Sequence, residues 1–459
     1  MVRVNLNLCQ SCLEKQRTID RLKQEIESLR EKVRRLERKA EQGPFGSSTP
    51  SAKIPVKANT AQEQRSKPGG AQPGHPGHGR QAVEDGAAAR IETVSAGPAC
   101  PYCGGALEHK EYRDRSVIDS QPLRAQPMLY QLERARCPRC GKMVQARAPA
   151  VLPKSLYGNQ LITQVVFLHY RQGIPVGRLC DQLGIGLGAV FEILHRMAAL
   201  FRGVMGKLVE EYRQAPVRHA DETGWRTDGR SGYAWLFASA TVSLFLFRAT
   251  RSAQVPKEVL GTQALSGVLV VDRYNAYNQS PCPLQYCYAH LLRDVEDLAK
   301  EFPGQSEVTR FTSTLIPLLA EAMHLGGRSL PEAEYYDQAR QIQQQIVDLV
   351  EQPAQHLGVR QVQGIFRDHA HRLYHWVENR AVPADNNRAE RELRPTVIAR
   401  KVSFGSQSDA GAKTREVLMS VVHTLAKRVA DPEAHFTSVL DQLAPDPSKN
   451  PVTLLFDTS

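Results

Sequence analysis

No run in the sequence approaches the roughly eighteen apolar residues that a membrane span requires. The opening stretch, "MVRVNLNLCQSC", has no apolar signal region with a cleavage site, so a cytoplasmic protein with no membrane partner is expected. Cysteine is too scarce for a disulfide scaffold: the chain has nine among 459 residues, and nine is odd. Six of these form three Cys-x-x-Cys pairs, Cys9/Cys12, Cys100/Cys103 and Cys137/Cys140. In a reducing compartment such pairs point to metal before they point to disulfide. Positive charge, by contrast, is in excess. A net charge of +11 fits a polyanionic partner, nucleic acid first, or else a merely basic soluble enzyme. A chain of this length is expected to divide into several domains rather than build one core.

From Ile19 to Leu36 the apolar positions Ile19, Leu22, Ile26, Leu29, Val33 and Leu36 alternate in steps of three and four, the seam of a coiled coil. Ile and Val at a with Leu at d favour a parallel pair, so residues 1–42 read as a leucine zipper that assists a homodimer or higher assembly. One amphipathic helix lying on its own protein is the alternative. Gly43-Pro44 ends the helix, and residues 43–92, with "KPGGAQPGHPGHGR", read as a flexible basic linker whose His75 and His78 are solvated. Residues 93–150 hold "CPYC" and "CPRC", each followed by Gly, around β-like alternations. Two such knuckles gather four thiolates tetrahedrally, which predicts a zinc ribbon with one structural Zn²⁺ on Cys100, Cys103, Cys137 and Cys140. Cys9/Cys12 has no second pair nearby.

Residues 151–213 read as helices. Within them "IPVGRLCDQLGIGLGAVFEILHRM" has the cadence of a helix-turn-helix, with a turn at Gly184-Ile185-Gly186. Its second helix is unusually apolar for base reading, so ordinary helical packing remains open.

Beyond residue 214 the pattern turns to strands: "VRHADETGW", "GYAWLFASAT" and "SLFLFRAT", then the buried run "GVLVVDRYNAYN" and "LQYCYAHLLRDVEDLAK". The order β-β-β-α-β-(α)-β-α is that of a ribonuclease-H-like domain, in which the first and fourth strands are neighbours. Asp221 and Asp272, each at the end of such a strand, are therefore expected to meet. Paired buried carboxylates repel unless hard cations sit between them. A third acid is sought in "PADNNRAERELRP", where Asp385 caps a helix that Pro395 is expected to end. Glu390 and Glu392 face different sides of that helix, and Glu390 shares a stripe with Asn387 and Arg394. Glu390 is the choice, against the alternative of a surface pair with Arg394. Two Mg²⁺ or Mn²⁺ ions on Asp221, Asp272 and Glu390 would serve in-line phosphodiester chemistry. Arg400 and Lys401 in "ARKVSFGS" either face phosphates or are solvated.

The predicted organisation is thus multidomain, mixing α+β and α/β parts. Residues 214–295 form the first part of a ribonuclease-H-like core, 296–380 a helical insertion, 381–428 the last part with the catalytic helix, and 429–459 a C-terminal helix and tail.

Taken in order, "HADETGW", "VVDRYNAY", "CYAHLLRD", "DNNRAERELRP" and "RKVSFGS", with the "GGAQPGHPGH" linker, the ribbon cysteines and the zipper, resemble bacterial insertion-sequence transposases of the insertion-sequence-66 family. The likeness covers nearly the whole chain. It implies DNA transposition by an Asp-Asp-Glu site, carried by Asp221, Asp272 and Glu390, on element ends and target DNA, with accessory proteins of the same element as possible partners. "CYAH" is similar to the Cys-x-x-His motif of transposases with an inserted helical domain, which implies structural support or phosphate contact for Cys287 and His290. "RKVSFGS" is tighter than the family's usual spacing. A DNA-binding regulator with an inactive core and a structure-specific nuclease of the same fold are the alternatives. If the ribbon exists, Cys137→Ser releases one zinc per chain, read by elemental analysis of the purified variant; unchanged zinc content removes the ribbon.

Overall fold

The computed structural model describes residues 18–19, 21–30, 33, 103, 123–136, 138–140 and 143–456. The chain divides into two compact units, residues 54–124 and the remainder. In the smaller unit Cys103 is exposed. Cys100 and Cys137, like Cys9 and Cys12, lie outside the described residues, as does the 43–92 linker.

Near the N-terminus of the larger unit, the described residues among 18–33 are helical, and Ile19, Leu22, Ile26, Leu29 and Val33 are all exposed. Strands β1 (Arg134–Arg136) and β2 (Met143–Gln145) pair antiparallel, and the exposed Cys140 lies between them.

Four helices follow: α1 (Asn159–Tyr170), α2 (Val176–Leu183), α3 (Leu187–Leu200) and α4 (Val204–Gln214). Helices α2 and α3 meet at 111° across Gly184–Gly186, within the range of a helix-turn-helix pair. The exposed side of α3 carries Leu187, Phe191, Glu192 and His195 and no free cation; Arg196 donates to the carbonyls of Pro153 and Lys154.

The centre is a mixed five-stranded sheet. It contains β3 (Val217–Thr227), β4 (Arg230–Ala238), β5 (Ser243–Arg248), β6 (Val268–Val271) and β7 (Leu284–Tyr286), with α5 (Gln254–Leu260) between β5 and β6. The order across the sheet is β5-β4-β3-β6-β7, antiparallel on the β4 side of β3 and parallel on the β6 side. Asp228 and Gly229 both have positive φ, the requirement of the two-residue turn that joins β3 to β4.

Helices α6 (Tyr288–Glu301), α7 (Ser306–Leu325), α8 (Glu332–Glu351), α9 (Leu357–Asp368) and the short α10 (His375–Glu378) lead away from the sheet, and α11 (Asn387–Ser403) returns to it. Pro395 lies inside α11 and does not end it, contrary to the sequence-based expectation. The missing N–H and the clash with the preceding turn normally break a helix. Here both halves are held from outside: Glu392 pairs with Lys427 at 2.8 Å, and Arg400 donates to Thr223 and Gly224 of β3. Past the helix, Gly405 (φ +143°) passes so close to β3 that a Cβ there would lie 2.2 Å from the Arg226 carbonyl, and Ser406 bridges Thr227.

Helix α12 (Asp409–Arg428) closes the open edge of the sheet. Edge strands leave a row of unpaired backbone groups. The N–H groups of Ser243, Phe245 and Phe247 donate to Thr424, Ser420 and Glu416. Four residues of helix rise about 6 Å and two residues of strand about 6.8 Å, so the two ladders nearly match. The C-terminal helices α13 (Pro432–Leu443) and α14 (Pro451–Phe456) fold back toward the first helices: Asn159 donates to Asp441, and Phe436 lies against Phe167 and Phe201.

Replacing Ser420 with Ala strands the Phe245 N–H. A loss of about 1–3 kcal/mol is expected, read as a lower urea midpoint with an unchanged slope. An unchanged midpoint would show that the edge does not depend on this ladder.

Candidate active site

Strand β3 is longer than the sequence suggests, so Asp221 and Glu222 do not mark its end. They lie at its middle, because β4 pairs with it from His219 to Thr227. What stops beside them is β6, whose parallel register with β3 runs only from Val217/Val268 to His219/Val270. Continuing that register along both strands sets Asp221 opposite Asp272, just past the end of β6. Both residues stand where the parallel pairing has run out.

Neighbouring residues alternate in direction along a strand, and the two acids of β3 have different surroundings. Glu222 is fully buried and satisfied: Arg251 donates to it at 2.6 and 2.8 Å, and the Tyr277 hydroxyl at 2.5 Å. Burial, then the charge of Asp272, pushes it up to about 6 despite Arg251. Asp221 is buried too, and its Oδ1 accepts only the adjacent N–H of Glu222, at 2.9 Å. Burial raises its proton affinity most, and Glu222, Asp272 and Glu390 raise it further, which sets all three acids near it. Asp272 accepts the Tyr274 N–H at 2.9 Å and is also raised, chiefly by burial.

Glu390, in the first turn of α11, is mostly buried and raised by burial against the opposing effect of Arg293, which lies 3.4 Å away. Its partner is thus Arg293 and not the exposed Arg394 of its own helix. Glu392 points elsewhere, to Lys427 and Ser243. The local cations are already committed: Arg251 to Glu222, Arg273 to Asp294, Arg293 to Glu390. Asp221 and Asp272 are left with hard oxygen donors, mutual repulsion and no ion pair among the described residues. Such a donor set fits a divalent cation.

Residues that the sequence did not single out hold these acids in place. The buried Asn386 takes part in three contacts: its Nδ2 donates to the Ala220 carbonyl at 2.8 Å, its Oδ1 faces His219 Nδ1 at 2.9 Å, and its N–H donates to Cys287 Sγ at 3.1 Å. Because the amide already donates to Ala220, its oxygen accepts, and His219 carries its proton on Nδ1. Burial first lowers His219 to about 4, so the imidazole is neutral. Asn387, the residue chosen from sequence, instead donates to Asp385 by backbone and side chain, and the two secure the start of α11. The doubled Asn in "PADNNRAE" was the only hint. Arg293, three positions beyond His290 on α6, was legible as a same-face neighbour.

Cys287 is the N-cap of α6, fully buried, and burial pushes its thiol up to about 12. His290 sits in the first turn, lowered to about 4 by burial and by Arg293 and Arg273. Its Nδ1 lies 4.0 Å from Glu390. Cys287, His290 and Glu390 thus form one cluster. Arg400 is tied to β3 as described, and Lys401 is exposed.

The family model described as "Transposase IS66 family" matches residues 154–414, from just before α1 into α12. A second, a domain of unknown function (DUF6431), matches residues 100–175, which include the Cys100/Cys103 and Cys137/Cys140 pairs. Two relatives from Sinorhizobium fredii (strain NBRC 101917 / NGR234) are "Uncharacterized protein y4jD" and "Uncharacterized protein y4hP". The first is 23% identical, covering 75% of this chain and 74% of the relative; the second is 22% identical, covering 78% and 72%.

Raised carboxylates add stability while protonated and lose it as pH rises through the folded value. For Asp221 that loss begins above its ordinary 3.8. In chelator and mildly alkaline buffer, Asp221→Asn is therefore expected to melt at or above the wild-type temperature, with the difference vanishing toward acid. Added Mn²⁺ should raise the wild-type midpoint alone. A variant that melts well below wild type in chelator would show that ionised Asp221 is held by the protein itself.

Proposed function

The chain belongs to the transposase IS66 family, and from that premise we propose that it is an insertion-sequence DNA transposase. It binds the terminal inverted repeats of its element, cleaves the DNA strand and joins the freed 3′-hydroxyl to a target, using Asp221, Asp272 and Glu390. The observation that carries this reading is the gathering of these three acids, from β3, the end of β6 and α11, with no ion pair for the two aspartates among the described residues. The sheet order supports a ribonuclease-H-like core, with its helical insertion between α6 and α11.

Asp221 and Asp272 would hold two Mg²⁺ or Mn²⁺ ions, with Glu390 completing the set. Such ions, when bound, activate water or a 3′-hydroxyl and neutralise charge on the leaving oxygen. The remaining work belongs to the chain. β3 and β6 fix the two aspartates against each other. Asn386 locks α11 to β3, so that Glu390 approaches at a set depth. Arg251 and Tyr277 hold Glu222 in place, which keeps a fourth carboxylate from competing for cations.

DNA would be held by the helix-turn-helix and the basic linker. The N-terminal helix, its apolar stripe in solvent, supports assembly as a homodimer or larger complex. Affinity for DNA ends is then expected to fall steeply with salt.

Labelled terminal repeats incubated with the protein and Mg²⁺ test the reading: end cleavage and joined products are expected. Asp221→Asn should lower cleavage about a thousandfold, several kcal/mol of lost charge stabilisation, while end binding is kept. Cleavage without joining would indicate a nuclease, and binding without cleavage a regulator. Full cleavage by the variant would remove Asp221 from the chemistry.

A further inference from the structure

We propose that Cys287, His290 and Glu390 form a binding site for one thiophilic divalent cation, for which Zn²⁺ is the best match. Their donor atoms, one sulfur, one imidazole nitrogen and one carboxylate oxygen, all lie within 4.8 Å of one another. Metal–ligand bonds of about 2.0–2.3 Å place the ligands of a single zinc roughly 3.3–3.8 Å apart. Small side-chain rotations therefore suffice to close the set on an ion.

A second observation is independent of that proximity. His290 Nδ1 is a buried atom with no hydrogen-bond partner, although buried polar atoms are normally satisfied. It faces Glu390 at 4.0 Å, too far for a hydrogen bond and suited to an ion shared between them. Local structure brings the ligands together without strain. Cys287 closes the junction of β7 and α6, its N–H donating to the Val271 carbonyl, and His290 follows one helical turn later. The Asn386 N–H already donates to Cys287 Sγ, the kind of outer contact that orients a metal-bound sulfur.

The donor set also decides the class of ion. Mg²⁺ takes oxygen ligands in octahedral geometry and keeps several waters, whereas mixed thiolate, imidazole and carboxylate suits Zn²⁺ with a fourth position open. Binding displaces the thiol proton. Glu390 belongs to both clusters, so an ion here sets how that carboxylate is presented to Asp221, a consequence that rests on the cleavage chemistry proposed above.

The test is cobalt titration of the full-length protein in the absence of DNA, with Cys287→Ser and His290→Ala titrated alongside. Wild type is expected to take up one more Co²⁺ per chain than either variant and to show a stronger thiolate-to-cobalt charge-transfer band than Cys287→Ser. Zn²⁺ should displace this cobalt and excess Mg²⁺ should not; loss of either ligand should weaken zinc binding by at least the roughly 10–100-fold that loss of an outer-shell partner costs. Thermal melts in chelator check that each variant is folded, and His290→Ala, at a partly exposed position, decides the matter if Cys287→Ser is not. Equal cobalt uptake by wild type and a folded variant overturns the site. No cleavage is measured, so this failure leaves the transposition chemistry standing, and a failure of that chemistry leaves the ion site standing.

Discussion

Carboxylates crowded into a poorly solvated place repel one another, and two of them have no direct ion pair among the described residues. Asp221 and Asp272 face each other beyond the end of β6, while Arg251, Arg273 and Arg293 are engaged with Glu222, Asp294 and Glu390. A protein folding for stability alone would not assemble this cluster, since each buried charge has a desolvation cost. Divalent cations between the aspartates remove the conflict, and the rest of the structure can be understood as the means of holding acids from distant parts of the chain in that position.

Rigidity is supplied from the sides. Helix α11 is tied to β3 at both ends, by Asn386 through Ala220 and by Arg400 through Thr223 and Gly224, and it runs through Pro395 without ending. Helix α12 covers the far edge of the sheet with side chains four residues apart, so the sheet is closed on one side by a helix in place of another strand. The two acids of β3 divide the labour: Glu222 is paired with Arg251 and hydrogen-bonded by Tyr277 inside the fold, and Asp221 accepts the adjacent N–H of Glu222 and has no ion pair among the described residues.

Much of this was legible in the sequence for definite reasons. Apolar alternation and continuous apolar runs located the strands, and the neighbourhood of the first and fourth followed from their order. The helical period separated Glu390 from Glu392. What escaped had no local signal. The length of β3 depends on its antiparallel partner, so its middle looked like its end. Pro395 read as a stop because the contacts that carry α11 past it come from Lys427 and from β3, remote in sequence. Asn386 looked no different from Asn387 until the fold turned one toward Ala220 and the other toward Asp385. Arg400 read as facing phosphates or solvent, and its guanidinium joins helix to strand.

The central claim is that Asp221 and Asp272 are built to hold divalent cations. Anomalous diffraction from crystals soaked in Mn²⁺ tests it most directly. Manganese peaks between these two carboxylates, with Glu390 in reach, are the predicted result. Crystals in which Asp221 and Asp272 bind no manganese while other sites do would contradict it.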